Sequence, residues 1–218
     1  AAGVTIPLRG ARKAIAERMY QSLQHSAQLT ITTEADVTEA VGLRARREFD
    51  FTYTDLIIHA AARALRRHPR MNARLGEDRI ELLSRINVGM AVALDDGLIV
   101  PVIFDADRKD LRQIAAQTRA LGERARAGQL RLEDVTGGTF TVTNLGIWGV
   151  DAFTPILNLG ETGILGVGRI VEKPAIFRDQ IAARSMITLS LTFDHRVIDG
   201  APAAAFLQTV IELFNRGA

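Results

Sequence analysis

A chain of 218 residues that is 47% hydrophobic and 24% charged has the composition of an ordinary globular protein, and no linker divides it. Zero cysteines exclude a disulfide framework, a cysteine-based zinc site and a cysteine nucleophile, and the scattered His25, His59, His68 and His195 offer no metal spacing, so no metal is expected. A net charge of +2, from 27 basic and 25 acidic residues, gives no electrostatic case for nucleic acid, and no apolar run approaches the ~20 residues of a membrane span. With no signal peptide in view, a cytoplasmic or organelle-matrix location is the default expectation.

The chain opens Ala1-Ala2-Gly3 without a methionine, so residues 1–4 are expected to be a linker remnant. From Arg9 to Leu23, the residues Ala11, Ile15, Met19 and Leu23 recur every four, the stripe of an amphipathic helix that usually belongs to a core. Leu29, Ile31, Thr33, Ala35 and Val37 alternate with polar neighbours as a strand. Thr54 is the expected N-cap of a helix carrying Ile57, Ala61, Ala64 and Leu65 and stopped by Pro69; His59 and His68 read as structural or exposed. Ile86, Val88, Met90, Val92 and Leu94 alternate strictly before Asp95-Asp96-Gly97, a hairpin signal, and Pro101 sends the second strand to an edge or a bulge. Asp110 is placed to cap a helix through Leu111, Ile114, Ala115 and Leu121 that closes near Gly128. The glycine-rich segment from Gly137 to Gly168 predicts tight turns and close backbone approaches. Within it Thr139, Thr141 and Thr143 share one face of a strand, and Gly163 to Arg169 does not satisfy G-x-G-x-x-G.

The last elements carry the chemistry. Ile187, Leu189, Leu191 and Phe193 alternate with Thr188, Ser190 and Thr192, the strand stops at His195, and Asp199-Gly200 turns the chain into a helix with Pro202 in its first turn. An imidazole, with a pKa near ~6.5, is the side chain best suited to take and return a proton at neutral pH, although a lone histidine is more often structural. Asp194 should point away from the imidazole, since successive strand residues face opposite sides. Asp199, across the turn, is better placed either to steady His195 or to hold the loop through an arginine such as Arg12.

Asp194-His195-Arg196-Val197-Ile198-Asp199-Gly200 has the form Asp-His-Arg-x-x-Asp-Gly. It resembles the active-site signature of the dihydrolipoamide acyltransferases, the E2 core subunits of the 2-oxo acid dehydrogenase complexes. These are related in fold to chloramphenicol acetyltransferase, whose family carries His-His-x-x-x-Asp-Gly, and Asp194 favours the first family. The resemblance covers roughly Thr5 to Asn215, including the run from Ala11 to Met19, Ala35-Asp36-Val37-Thr38, and Gly138 to Gly146. It implies a single catalytic domain with the two-layer α/β sandwich and mixed β-sheet of coenzyme A-dependent acyltransferases, the lipoyl and subunit-binding domains lying outside this chain. It further implies His195 as the base, Thr143 as the hydroxyl that donates to the oxyanion, and Asp199 as the loop-holding residue facing Arg12. The region from Ile86 to Leu111 is expected to help line the coenzyme A channel. The substrates implied are coenzyme A and a lipoyl group carried on a separate domain, since neither Lys13, Lys109 nor Lys173 sits in a lipoyl-like setting.

The same resemblance implies a homotrimer that builds a larger hollow core of about 24 or about 60 subunits and meets the E1 and E3 components through missing domains. The histidine and the hydroxyl of one site then come from neighbouring subunits. Two departures stand out: Ala27-Gln28 replaces a Pro-His pair, and Asn158-Leu159-Gly160 replaces Asn-Pro-Pro. Thr143-Asn144-Leu145-Gly146 with Val150 to Thr154 favours acetyl transfer, with succinyl and branched-chain acyl groups as alternatives. Three rivals remain in view. A hydrolase would use Ser190, His195 and Asp199 but lacks a Gly-x-Ser-x-Gly elbow. A free-standing acetyltransferase would act on a small hydroxyl compound, and a non-catalytic core subunit would use the fold for assembly alone.

Overall fold

In the computed structural model, which describes residues 3–46, 48–94 and 97–217, the chain begins α1 (Gly10–Gln24), β1 (Gln28–Asp36), α2 (Thr38–Ala45) and α3 (Tyr53–Arg67). It continues through short strands β2 (Ala73–Leu75), β3 (Ile80–Leu82), β4 (Val88–Met90), β5 (Val92–Leu94), β6 (Gly97–Ile99) and β7 (Val102–Ile103). Helix α4 (Leu111–Arg126), strand β8 (Phe140–Asn144), two 15-residue strands β9 (Gly163–Phe177) and β10 (Gln180–Asp194), and helix α5 (Gly200–Arg216) complete it.

One mixed sheet in the order β1-β10-β9-β8-β4-β7 carries the molecule, with β9, β8 and β4 mutually parallel and the other pairs antiparallel. Strand alternation sorts its two faces. Leu189, Leu191 and Phe193 of β10, Leu165 and Val167 of β9, and Phe140 and Val142 of β8 join Leu56, Ile57 and Leu65 of α3 and Phe206, Val210 and Phe214 of α5 in one buried core. The other face is hydroxyl-rich: Thr30 bonds Thr192 at 2.7 Å, and Thr32 donates to Ser190 at 3.3 Å. An extended strap, residues 150–162, crosses this reverse face. A Cβ on Gly166 would come within 3.0 Å of the Phe153 ring, and one on Gly168 within 1.9 Å of the Asp151 carbonyl oxygen, so both positions need glycine for the strap to lie down. The sandwich of helices on a mixed sheet is the fold class expected.

Local signals place most elements. Asp110 and Gln113 cap α4 reciprocally, at 2.7 and 3.0 Å, and Gly128 adopts φ +66° just past its end. The cap of α3 is a correction. Thr52, not Thr54, holds it, because Asp55 stands three residues on: Asp55 N–H donates to Thr52 Oγ1 at 3.1 Å and Thr52 N–H to Asp55 Oδ2 at 2.7 Å. Thr54 instead accepts from Asn144 Nδ2 at 3.0 Å, tying α3 to the end of β8.

The run from Ile86 to Leu94 is not one strand. Val88–Met90 lies in the main sheet, whereas Val92–Leu94 leaves it and pairs with Gly97–Ile99 in a separate ribbon, Leu94 opposite Gly97. The turn residues Asp95 and Asp96 lie outside the described residues. Pro101 falls between β6 and the edge strand β7, where no ladder donor is needed. The stripe of α1 also departs from expectation: Ile15 and Met19 are half-buried and Leu23 is 49% exposed. Its stripe is thus only partly covered within one chain, Ile15 lying against Gly97 and Ser22 against the strap, so its periodicity marks a surface more than the core.

Candidate active site

His195 stands one residue past the end of β10, and its backbone is fixed from two sides. Its N–H donates to the Ala27 carbonyl at 2.8 Å, while the preceding N–H, of Asp194, donates to the Thr162 carbonyl at 3.0 Å. The imidazole lies 5.8 Å, centroid to centroid, from the buried Phe193 ring, and the side chain remains 44% exposed at the rim of the sheet. Asp199 Oδ1 is 3.8 Å from His195 Nδ1, too long for a hydrogen bond but close enough for electrostatic contact. Asp199 therefore lies beside the ring, one of its two expected placements, the other being to hold the loop through an arginine such as Arg12.

The loop itself is gripped by Asp194. This buried carboxylate accepts from Ala27 N–H at 3.2 Å, from Arg196 N–H at 3.1 Å, and from the Arg196 guanidinium at 3.0 and 2.6 Å. Burial alone would push Asp194 up, but the Arg196 hydrogen bonds and charge hold it below the usual carboxylate range. Arg196 also donates to the His25 carbonyl. Asp194 points away from the imidazole, as alternation required, and ties the turn carrying His195 to the end of α1. Arg12 lies on α1 near Gly97, its Nη2 3.8 Å from where a Cβ on that glycine would stand.

Thr143 is elsewhere. On β8 it pairs with Gly166 of β9, which pairs in turn with Ser190 of β10, and His195 lies five residues beyond Ser190. At ~3.3 Å per residue and ~4.8 Å per strand, the two side chains are roughly 19 Å apart in one chain. No thioester reaches both. Thr143 is paired with the glycine that the Phe153 ring covers, which makes Phe153 its neighbour on the same face of the sheet. Asn144 fixes the turn after it, accepting from Gly146 N–H at 2.8 Å. Ser190 is buried on the reverse face, away from His195, which removes the hydrolase arrangement.

A cleft of about 430 Å³ opens between the end of α1, the turn at Gly76 and the strap, lined by Ser22, His25, Glu161, Asp194 and Arg196 among others. Glu161 gave no signal in the sequence, where a charge among glycines reads as solvated loop. It accepts from Thr141 Oγ1 at 2.8 Å, and Thr141 accepts from Asn158 Nδ2 at 2.7 Å. Burial pushes Glu161 up to about 7, against the Thr141 and Asn158 hydrogen bonds and the charge of Arg74.

The family model described as 2-oxoacid dehydrogenases acyltransferase (catalytic domain) matches residues 1–216. The chain belongs to this family. The dihydrolipoyllysine-residue acetyltransferase component of the acetoin cleaving system of Bacillus subtilis is 44% identical over 213 residues, 94% of this chain and 54% of that one. The chain thus spans about half the length of the curated relatives it matches.

Among solved structures, a probable dihydrolipoamide acetyltransferase from Listeria monocytogenes superposes with a TM-score of 0.93 at 36% identity, covering 99% of this chain and 96% of that one. The cubic core of a pyruvate dehydrogenase multienzyme complex gives 0.90 at 33%, covering 98% and 91%. The dihydrolipoamide acetyltransferase of Azotobacter vinelandii gives 0.91 at 32%, covering 98% and 92%. A serine, a histidine and an asparagine figure in the catalytic mechanism of that enzyme, spaced along its chain as Thr143, His195 and Asp199 are along this one. Chloramphenicol acetyltransferase, at 17% identity and a TM-score of 0.58, shares the fold alone.

Proposed function

We propose that this chain transfers an acyl group, acetyl foremost, between a dihydrolipoyl thiol and coenzyme A, as the core of a 2-oxo acid dehydrogenase complex. The observation that carries the reading is His195, fixed through its backbone at the sheet rim with its ring facing outward beside Asp199. His195 takes the proton of the attacking thiol as sulfur adds to the thioester carbonyl. The Thr143 hydroxyl of a neighbouring subunit donates to the oxyanion so formed. Collapse expels the second sulfur as a thiolate, which takes the proton back from the imidazolium. A thiol near ~8.5 and an imidazole near ~6.5 are matched closely enough for this exchange. Asp199, with a carboxylate oxygen 3.8 Å from His195 Nδ1, either steadies the ring or holds the loop that carries it.

The ~19 Å between His195 and Thr143 within one chain supports a site shared by adjacent copies, and the likeness to a cubic core supports trimers that close into a larger assembly. The lipoyl group, the E1 and E3 contacts, and a cytoplasmic or mitochondrial-matrix setting belong to the same proposal. The test is transfer from acetyl-CoA to free dihydrolipoamide by the assembled protein. Failure with acetyl, propionyl, isobutyryl and succinyl donors alike would leave the scaffold reading standing instead.

The acetyl preference rests on Phe153. An acyl carbonyl within hydrogen-bond reach of Thr143 places its alkyl group beside the aromatic ring that covers Gly166. Phe153→Ala should raise the kcat/KM ratio of isobutyryl-CoA to acetyl-CoA by ~10-fold or more, the scale of a methylene or two in an apolar pocket. An unchanged ratio, measured across the donor series, would remove Phe153 from the pocket wall.

A further inference from the structure

The first departure from the family pattern, Gln28, sits in a hydrogen-bonded cluster that ends one residue before the second. Gln28 Nε2 donates to Ser26 Oγ at 2.9 Å and to Ser22 Oγ at 3.1 Å, and its Oε1 accepts from Leu157 N–H at 3.1 Å. Ser22 Oγ in turn donates to the Leu157 carbonyl at 2.6 Å, and Ser26 Oγ to the Ser22 carbonyl at 2.5 Å. One amide thus joins the end of α1, the start of β1 and the strap, just before Asn158-Leu159-Gly160 where two prolines would stiffen the chain. The residue next to Gln28 is Ala27, whose carbonyl accepts from His195 N–H and whose N–H reaches Asp194. Along the strap, Leu157 lies four residues after Phe153.

We infer that Gln28 is a positioning residue for acyl transfer, fixing the Ala27 turn that carries the His195 backbone against the strap. The inference rests on the reaction proposed above. Both donors of the amide are engaged, so the turn has one arrangement rather than several. The serine hydroxyls already donate to carbonyls, so they present lone pairs to Gln28, and only a donor on that side chain satisfies them. A shift of ~1 Å at a catalytic group costs on the order of 10²-fold in rate, and a partial loosening of this turn therefore acts on kcat.

The experiment compares native protein, Gln28→Ala and Gln28→Glu for transfer from acetyl-CoA to dihydrolipoamide, with assembly state checked for each. Gln28→Ala should lower kcat by about 10-fold while KM for acetyl-CoA changes by less than about twofold. Gln28→Glu keeps the acceptor for Leu157 N–H but, as a carboxylate, has no donor for the two serine oxygens, so its kcat should fall as in Gln28→Ala, again with little change in KM. Native kcat in Gln28→Ala, or a loss that appears only in KM, overturns this inference and leaves the acyl-transfer reading intact. A native protein that transfers nothing overturns both.

Discussion

His195→Ala should abolish acyl transfer to within background, a loss of ~10²-fold to 10⁴-fold for a general base, and Thr143→Ala should lower kcat by ~10²-fold to 10³-fold. The stronger result comes from mixing them. The sheet register holds His195 and Thr143 roughly 19 Å apart in one chain, so the proposed reaction would take the histidine of one copy and the hydroxyl of another. If the two variants are unfolded together and reassembled in equal amounts, a site is intact when its histidine comes from a Thr143→Ala subunit and its hydroxyl from a His195→Ala subunit. In a ring with random placement that is about a quarter of all sites. Recovery of about a quarter of native activity from two nearly inactive proteins has no explanation in a site confined to one chain. Absence of recovery, with mixed assembly confirmed by mass, would place both groups' roles within single subunits and contradict the distance.

That distance also shows where sequence reasoning runs out. The strand ending at His195 was legible because alternation from Ile187 to Phe193 and the Asp199-Gly200 turn are local signals, as were the Asp110 cap and Gly128. Thr143 and His195 could each be named, but their separation follows from strand order, which no local pattern encodes. The α1 stripe had the period of a buried helix but is only half-buried in one chain, since periodicity reports an apolar face and not what covers it. The exchange of Thr54 for Thr52 was readable in principle: Thr-x-x-Asp from Thr52 to Asp55 is a capping-box spacing that outranks a lone hydroxyl. Val92–Leu94 leaves the sheet because its partner comes from the following turn, a competition between two ladders that alternation describes equally well. Gln28 and Glu161 matter through what lies over them. Both contacts depend on a strap whose path is set by glycines at 166 and 168, and the sequence shows those glycines without showing what they admit.

Glu161→Gln should stabilise the protein in alkaline solution and leave it nearly unchanged in mild acid. Burial lifts the Glu161 carboxyl from its ordinary 4.5 to about 7. Between those values the folded protein holds a proton that the unfolded chain has released, so stability falls as pH rises through this window and stays lowered above it. A shift of this size corresponds to roughly 3 kcal/mol, and incomplete burial makes that an upper figure. Glutamine keeps the acceptor for the Thr141 hydroxyl and carries no charge, so the penalty disappears. The difference between variant and native should be close to zero near pH 4 and grow to about 2 to 3 kcal/mol by pH 8, read from denaturant unfolding at one fixed protein concentration so that assembly does not contribute. A difference independent of pH would mean that the Glu161 carboxylate is solvated or paired in the assembled protein. The strap would then be anchored without help from the Glu161 proton, by bonds such as those at Leu157, Thr162 and the Asn158–Thr141 contact, and that proton would have no part in stability.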